Sequence, residues 1–444
     1  MKRLLIQTQL SNYNTFGKWI LECDSGWQMV MGRVREMLKL NPDLYIDVMG
    51  PPLDRENLVT MPQQVNPDLP WATKDNGGRL RYRPHPIMPN ALATRYNFDV
   101  SVVATKLGLE LHKHDKSLRY DAVYINDPMH LRNFKAMFLL SAGYQPKFYV
   151  HSHFVDVPTC PKFPVDASLW LGQCEAAIKS DWNFWQCESA LKEFEIEARK
   201  LYKDDVVDAI MAKSTPWDDG YSVEEILLPP NMKNVRFDPQ VLSQWHNEGK
   251  KIIFVPNRIG GQGRSSDYTN CGKFMFELLP ELRRHRKDFV VLAGNPSQKF
   301  FNHELEEMCG PNGYVSLVPD SFTRDEFKVV ASNADISLGL YDQDTYGGTV
   351  ARECVELGCL PLWLDNFEYS GIVRSAFEDG ADVKAVLAKP DFSNFVEVAL
   401  NLLSTFDSDR AEVFNWVSAL RNVVRKRCSY ESTTPDAMNK MNLM

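Results

Sequence analysis

The stretch ISLGLYDQDTYGGTVARECVELGCLPLW, residues 336–363, contains the pattern that decides the fold of this chain. Its first five residues, Ile336–Leu340, are mostly apolar and fit a buried strand, and a second such run occupies Leu360–Leu364. Between the two runs, Thr349–Leu357 has the amphipathic spacing of a helix. Short apolar strands that alternate with amphipathic helices predict a parallel sheet covered by helices on both faces.

Two glycines and a threonine, Gly347, Gly348 and Thr349, stand directly before this helix. The N–H groups and the dipole at the start of a helix favour anions, so we expect the phosphates of a ligand to bind there. Glu353 follows on the second turn, where its carboxylate can reach ribose hydroxyls beside those phosphates. The spacing fits equally well a glycine-rich helix start with solvated glutamates, and both interpretations stay open.

The same alternation extends along the rest of the chain. Further strands are predicted at Arg3–Leu10, Leu44–Met49, Asp121–Asn126, Lys147–Val150, Lys251–Val255, Phe289–Ala293 and Val315–Val318. Further helices are predicted at Trp27–Leu40, residues 130–143, Gly272–Arg284, Asn302–Cys309, Thr323–Ser332 and Ala411–Arg427. The region Pro51–Asn97 is rich in Pro, Asn and Gly and is interpreted as long loops or an insertion. The predicted fold class is α/β, with two doubly wound parallel sheets of the Rossmann type.

Composition limits the classes of function. The chain has 444 residues, enough for two cores, and its net charge of −8 provides no general attraction to nucleic acid. Its nine cysteines include no CxxC pair or zinc-type cluster, so they are expected to be thiols in a reducing cytoplasm. No apolar run approaches the ~18 residues of a membrane span, and the first apolar run is too short for a signal peptide. We predict no metal site and no permanently bound cofactor.

Cationic groups follow the strand at Lys251–Val255. The loop PNRIGGQGR offers Arg258 and Arg264 among three glycines, and guanidinium groups at such a loop can neutralise a diphosphate. Lys273, at the start of the next predicted helix, is a further candidate cation. The simpler interpretation is a flexible surface loop with two solvated arginines.

The stretch contains a strand, then GGT, then a helix with Glu353, and then GCLP at residues 358–361. This order resembles the donor site of retaining GT-B glycosyltransferases. That family usually carries Glu, seven residues, Glu, before a small-residue turn and a proline. Glu353 matches the second glutamate, whereas the first falls on Thr345, with Asp344 beside it as a substitute. The resemblance implies two Rossmann-like domains facing across a cleft, at residues 1–235 and 236–424, with a tail from about 425 to 444 returning to the first.

The resemblance also implies a set of functional residues. Donor binding is assigned to Arg258, Arg264, Lys273, Gly294, Asn295, Pro319, Tyr346, Gly347, Gly348, Thr349 and Glu353. The catalytic set is His151, Arg258, Glu353 and Asp344. His151 follows the strand KFYV and is expected to face the donor sugar, although a histidine at a strand end is commonly a hydrogen-bonded structural residue. The implied reaction is a front-face displacement on a nucleotide sugar, with UDP as the expected nucleotide.

Five short segments are similar to segments of bacteriophage alpha-glucosyltransferases that modify hydroxymethylcytosine in DNA. They are DAVYIND, YVHSH, LLPPNM, GKFMFEL and ECVELGCLPLW. That likeness implies a 5-hydroxymethylpyrimidine in double-stranded DNA as acceptor, flipped out of the helix, and the host cytoplasm as location. The candidate acceptor residues are Tyr13, Phe16, Lys18, Trp19, Arg81, Asn126, Asp127 and His153.

Arg81 belongs to an alternating run, Arg79, Arg81 and Arg83, that would line one face of a strand and could equally be a solvated face. Two other functions remain open. The acceptor could be a polysaccharide, a lipid-linked sugar or a small molecule, or the chain could bind a nucleotide sugar without catalysis.

Overall fold

A computed structural model describes most of the chain. The described residues are 1–8, 25–50, 78–84, 100–152, 167–256, 272–294, 307–310, 313–318, 322–339, 348–365, 367–378, 380, 382–389 and 391–444. Among these residues, no helix is long and apolar enough to cross a membrane.

The chain divides into two compact units. The first unit comprises residues 1–219 together with 430–444, and the second comprises residues 220–429. The expected boundary lay at residues 235 and 236, whereas the segment from residue 220 onward already packs in the second unit. There, Tyr221 donates its N–H to the carbonyl of Cys428 (3.2 Å) and its hydroxyl to Glu356 (2.8 Å).

The first unit is built on a parallel sheet. Its strands are Lys2–Gln7 (β1), Leu44–Gly50 (β2), Leu80–Pro84 (β3), Ala122–Ile125 (β4), Lys147–Ser152 (β5), Trp182–Trp185 (β6) and Ser214–Pro216 (β7). Within the described residues the strand order is β3-β2-β1-β4-β5-β6-β7, with every pair parallel. Side chains of β1 alternate between two apolar clusters, Leu4 and Ile6 in one and Leu5 in the other, as expected for a sheet covered on both faces.

Helices cover that sheet. They are Ser25–Leu40 (α1), Val100–Leu107 (α2), Leu131–Met137 (α3), Ala167–Lys179 (α4), Glu188–Ala198 (α5) and Asp204–Met211 (α6), and Tyr430–Lys440 at the end of the chain. This last helix packs against α1. A Cβ at Gly32 of α1 would lie 2.1 Å from the ring of Tyr430, so the contact requires glycine there.

The second unit contains another parallel sheet. Its strands are Lys251–Val255 (β8), Phe289–Gly294 (β9), Val315–Val318 (β10), Ile336–Gly339 (β11), Leu360–Leu364 (β12) and Leu387–Ala388 (β13), in the order β10-β9-β8-β11-β12-β13 within the described residues. The helices are Val223–Leu227 (α7), Gln240–Asn247 (α8), Gly272–His285 (α9), Arg324–Asn333 (α10), Thr349–Glu356 (α11), Phe367–Phe377 (α12), Val383–Val386 (α13), Phe392–Ser408 (α14) and Arg410–Cys428 (α15). The terminal helix Tyr430–Lys440 is α16. The α/β architecture with two parallel sheets is therefore confirmed.

Three local expectations differ from the structure. The helix predicted over residues 130–143 divides into α3 and a π-helical turn, Phe138–Ala142, which ends at Gly143 in a left-handed conformation (φ 70°). The strand β3 lies inside the region expected to consist of loops. The strand predicted to end at Val150 continues to Ser152, so His151 is inside β5.

Candidate functional site

The carboxyl edge of the second sheet brings together the ends of β8, β9 and β11. Because its strands are parallel, Val255, Gly294 and Gly339, the last residues of β8, β9 and β11, lie at one edge. The strand order changes direction between β8 and β11, and ligands of doubly wound sheets bind at such a switch point. Gly294, one of the predicted donor residues, is the last residue of β9.

The start of α11 is held by aromatic packing. Gly348 is the N-cap residue, and its N–H donates to the hydroxyl of Tyr369 (3.0 Å). The Tyr369 ring stacks on Trp363, with centroids 4.5 Å apart. Trp363 in turn fits against Gly339, where a Cβ would lie 2.3 Å from the indole. The first turn of α11 is thus fixed at the end of β11, where the positive end of the helix dipole favours an anion.

Glu353 lies buried on the next turn of α11, with only 4% of its surface exposed. Arg324, the first residue of α10, donates from Nη1 to Oε2 (2.7 Å) and from Nη2 to Oε1 (2.6 Å) of this carboxylate. A capping box formed by Thr323 and Glu326 fixes the start of α10 and therefore the base of the Arg324 side chain. Sequence reasoning selected Glu353 but missed Arg324.

Glu356, at the end of α11, is a second buried carboxylate that sequence reasoning assigned no role. It accepts a hydrogen bond from the hydroxyl of Tyr221 (2.8 Å), a bifurcated bond from Arg425 Nε (3.0 and 2.8 Å) and a bond from Arg425 Nη2. Burial, together with Glu356, raises the pKa of Tyr221 well above its usual range. Hydrogen bonds to Glu356 raise the pKa of Arg425 above its usual range.

At the carboxyl edge of the first sheet, His151 is wholly buried. Its Nδ1 lies 3.2 Å from Asn126 Oδ1, and its Nε2 lies 3.2 Å from the Trp217 carbonyl and 3.6 Å from Asp219. Arg33 of α1, unnoticed in the sequence, is also buried and lies 3.4 Å from Nε2. Both ring nitrogens therefore contact protein groups, which is the arrangement expected of a hydrogen-bonded structural histidine.

Asn126 and Asp127 lie beside His151 and are also buried. Both donate their N–H groups to Gln7 Oε1 (3.1 Å each), and Asp127 Oδ1 accepts the N–H of Met129 (3.2 Å). The structure thus brings two predicted acceptor residues and the predicted catalytic histidine to one edge. It places them in a network that orders the ends of β1, β4 and β5.

Arg81 has a carboxylate partner within its own sheet. It binds Asp47 of β2 through Nε (2.7 Å) and Nη2 (3.0 Å), and Arg83 Nε lies 3.4 Å from the same carboxylate. Burial lowers the pKa of Arg81, but Asp47 more than offsets this effect, so the pKa is raised. Arg79 donates to the carbonyls of Leu38 (3.1 Å) and Asn41 (3.0 Å). Intramolecular partners therefore account for each arginine of this alternating run.

The remaining predicted site residues lie either on α9 or outside the described part of the chain. Lys273 lies in the first turn of α9. The following candidates lie outside the described residues: Tyr13, Phe16, Lys18, Trp19, His153, Arg258, Arg264, Asn295, Pro319, Asp344, Tyr346 and Gly347. In the part of the chain that is described, no group of three or more His, Cys, Asp or Glu side chains could hold a metal ion.

No family model and no curated protein matches the chain. Solved structures do match over the whole length. HepE from Anabaena in complex with UDP aligns over 100% of both chains, with TM-score 0.62 and 10% identity. Sucrose-phosphate synthase from Thermosynechococcus elongatus aligns over 99% of this chain and 98% of its own, with TM-score 0.60 and 12% identity. A glycosyltransferase from Rickettsia africae aligns over 99% and 98%, with TM-score 0.62 and 12% identity.

The chain has the GT-B fold. The similarity covers both units, because each alignment includes nearly all of the 444 residues. In this GT-B chain the start of α11 and Glu353 belong to the second unit, and the His151 network belongs to the first.

Proposed function

We propose that the chain is a nucleotide-sugar-dependent glycosyltransferase with a UDP-linked donor. The observation that carries the proposal is the start of α11 at the carboxyl edge of the second sheet, with Glu353 one turn later. This arrangement offers amide donors for a diphosphate and a carboxylate for a ribose on the same helix. HepE, which shares the fold, has been solved with UDP and with UDP-glucose, and that supports the choice of nucleotide.

The proposed roles follow from charge. Departure of the sugar leaves negative charge on the diphosphate, which the positive dipole end of α11 at Gly348 and Thr349 and the cations Arg258, Arg264 and Lys273 would stabilise. Glu353 would accept hydrogen bonds from the ribose. We propose retention of configuration by front-face attack, in which a diphosphate oxygen takes the acceptor proton as the acceptor oxygen bonds to the anomeric carbon. Asp344 would bind a hydroxyl of the donor sugar. It would take the role of the family's first glutamate, whose position is occupied by Thr345 in this chain.

The acceptor proposal rests on the sequence likeness to phage DNA glucosyltransferases. A hydroxymethylpyrimidine in duplex DNA would need cations along the phosphate backbone and an aromatic surface for the extruded base. Lys18, Tyr13, Phe16 and Trp19 provide these groups in sequence. Arg81 is a weaker contributor, because Asp47 already offsets its charge.

Donor turnover tests the proposal. The purified chain is incubated with UDP-glucose and other UDP-sugars, and free UDP is measured without acceptor, with hydroxymethylated duplex DNA and with an unmodified duplex. We expect slow release of UDP without acceptor and with the unmodified duplex, and much faster release with hydroxymethylated DNA. Acceleration by an oligosaccharide instead would redirect the acceptor assignment, whereas UDP binding without turnover would indicate a non-catalytic nucleotide-sugar-binding protein.

The Glu353→Gln variant identifies the site. It keeps the shape of the side chain but weakens acceptance of ribose hydrogen bonds, so we expect a fall in kcat/KM for UDP-glucose of about tenfold or more. Asp407→Asn is the control, because Asp407 pairs with Lys251 at the amino end of β8, the sheet edge opposite the site. Equal activity of Glu353→Gln and the control would contradict the assignment.

A further inference from the structure

Glu356 connects α11 to the chain segments that join the two units. Tyr221, which donates to Glu356, is the second residue after the chain passes from the first unit at Asp219 to the second at Gly220. Arg425, which binds the same carboxylate, precedes the return of the chain to the first unit after Ser429. One buried side chain thus contacts residues of both joining segments.

The two joining segments also bind each other within the second unit. Tyr221 donates its N–H to the Cys428 carbonyl (3.2 Å) and forms an isolated parallel β-bridge with Ser429. A displacement of Glu356 therefore acts on a pair of segments held together by backbone hydrogen bonds.

The last turn of α15 contacts the start of α11 by a second route. Arg427 of that turn pairs with Glu368 of α12, whose side chain is buried. The next residue, Tyr369, accepts the N–H of Gly348 at the proposed diphosphate site. Arg425 and Arg427 therefore hold the carboxyl end of α11 and, through α12, its amino end.

A purely stabilising role explains this arrangement poorly. Burying an ion pair costs desolvation free energy, and an apolar side chain of similar volume commonly stabilises a core at least as well. The Glu356 carboxylate is wholly buried, whereas the Arg425 side chain that pairs with it is 42% exposed, so the desolvation cost falls on the carboxylate. Oriented charged pairs instead favour one arrangement of the helices over others.

We propose that Glu356 is a positioning residue that couples nucleotide binding at the start of α11 to the joining segments at Tyr221 and Ser429. The inference rests on the proposed function. α11 has eight residues and is about 12 Å long, so its two ends move as one body. A diphosphate that draws the first turn toward itself shifts Glu356, and Glu356 shifts the residues that it binds.

Hydrogen exchange tests this coupling. Exchange is measured by mass spectrometry on peptides covering Tyr221 and Cys428–Ser429, with and without saturating UDP, and UDP affinity is measured by calorimetry. In the wild type we expect UDP to slow exchange about fivefold or more. Tyr221→Phe removes one hydroxyl, so UDP affinity should stay within about fivefold of wild type while the effect of UDP on exchange disappears.

Two further variants separate coupling from loss of stability. Arg425→Lys keeps the charge but loses the two-pronged contact, so the response to UDP should shrink. Asp407→Asn breaks pairs with Lys251 and Arg286 in the same unit and should respond to UDP as the wild type does. An equal response in Tyr221→Phe and wild type, or UDP binding without slower exchange in the wild type, overturns the inference alone. Failure of UDP to bind the wild type overturns the proposed function and this inference with it.

Discussion

The direction of the Glu353 carboxylate is set by one arginine. The planar guanidinium of Arg324 donates hydrogen bonds to both carboxylate oxygens. The capping box at the start of α10 fixes the backbone position of Arg324. Arg324 fixes the direction of the Glu353 carboxylate, so in the proposed donor site it aims this carboxylate at the ribose. Arg324 then contributes to the choice between ribose and deoxyribose, because only ribose offers both hydroxyls.

Arg324→Gln should therefore reduce nucleotide discrimination. Without the guanidinium, the Glu353 carboxylate loses the two hydrogen bonds that fix its direction, so it accepts hydrogen bonds from a ribose less well. We expect UDP affinity to fall about tenfold and dUDP affinity to fall less, so the preference for UDP over dUDP shrinks, as measured by calorimetry at constant pH. Arg236→Gln is the matched control, since Arg236 makes a similar pair with buried Glu326 of the same helix. An undiminished preference in Arg324→Gln would contradict the role.

Single residues were only partly predictable from the sequence. Glu353 was found because its distance from the glycines and the proline is local. Arg324 lies 29 positions away, and no local pattern indicates which distant guanidinium meets a buried carboxylate. The histidine in YVHSH had two interpretations because spacing does not reveal burial. In the structure, Arg33, Asn126 and Trp217 surround its ring.

At the scale of single elements, α1 contains a glycine at the point where it packs against α16. Gly32 lies inside a helix, where glycine costs about 1 kcal/mol relative to alanine. The ring of Tyr430 on α16 lies where a Cβ would be. The low helix propensity is therefore offset by close packing of two helices nearly 400 positions apart along the chain.

Gly32→Ala should destabilise the first unit. A methyl group 2.1 Å from an aromatic ring forces α16 to move, and overpacking of this kind costs about 1–3 kcal/mol of the free energy of unfolding. Urea denaturation followed by circular dichroism measures the change. Gly172→Ala of α4 is the matched comparison, because its new methyl group meets the flexible side chain of Met129. If both variants lost equal stability, the packing explanation would be wrong.

Elements with regular patterns were predictable and irregular ones were not. The strands Lys251–Val255, Val315–Val318 and Leu360–Leu364 have the bounds that their apolar runs predict. The π-helical turn Phe138–Ala142 adds a residue to a turn without changing the apolar pattern, so periodicity does not show it. Strand β3 is short and polar, and Arg81 on it binds Asp47 of the neighbouring strand β2, a contact that no local pattern indicates.

At the scale of the whole molecule, the two units have separate cores although the chain enters the first unit twice. Met438 of α16 is wholly buried in the core beside α1, and Leu402 of α14 is buried in the core of the second unit. The sequence suggested the return of the tail only through its resemblance to a family, because the apolar spacing of a terminal helix does not identify the core that receives it. Because the cores are separate, we expect a ligand to change the stability of the unit that binds it and to leave the other unit's stability unchanged.

UDP should stabilise only the unit that binds it. A ligand at one hundred times its Kd adds about 2.7 kcal/mol to the stability of the native state that it binds, so calorimetric scans with UDP should raise the unfolding transition of the second unit. Met438→Ala leaves a cavity costing about 2–5 kcal/mol and should lower the transition that UDP does not shift, whereas Leu402→Ala should lower the transition that UDP raises. A UDP-dependent shift confined to the transition that Met438→Ala lowers would place the nucleotide in the first unit, and would contradict a site at the start of α11.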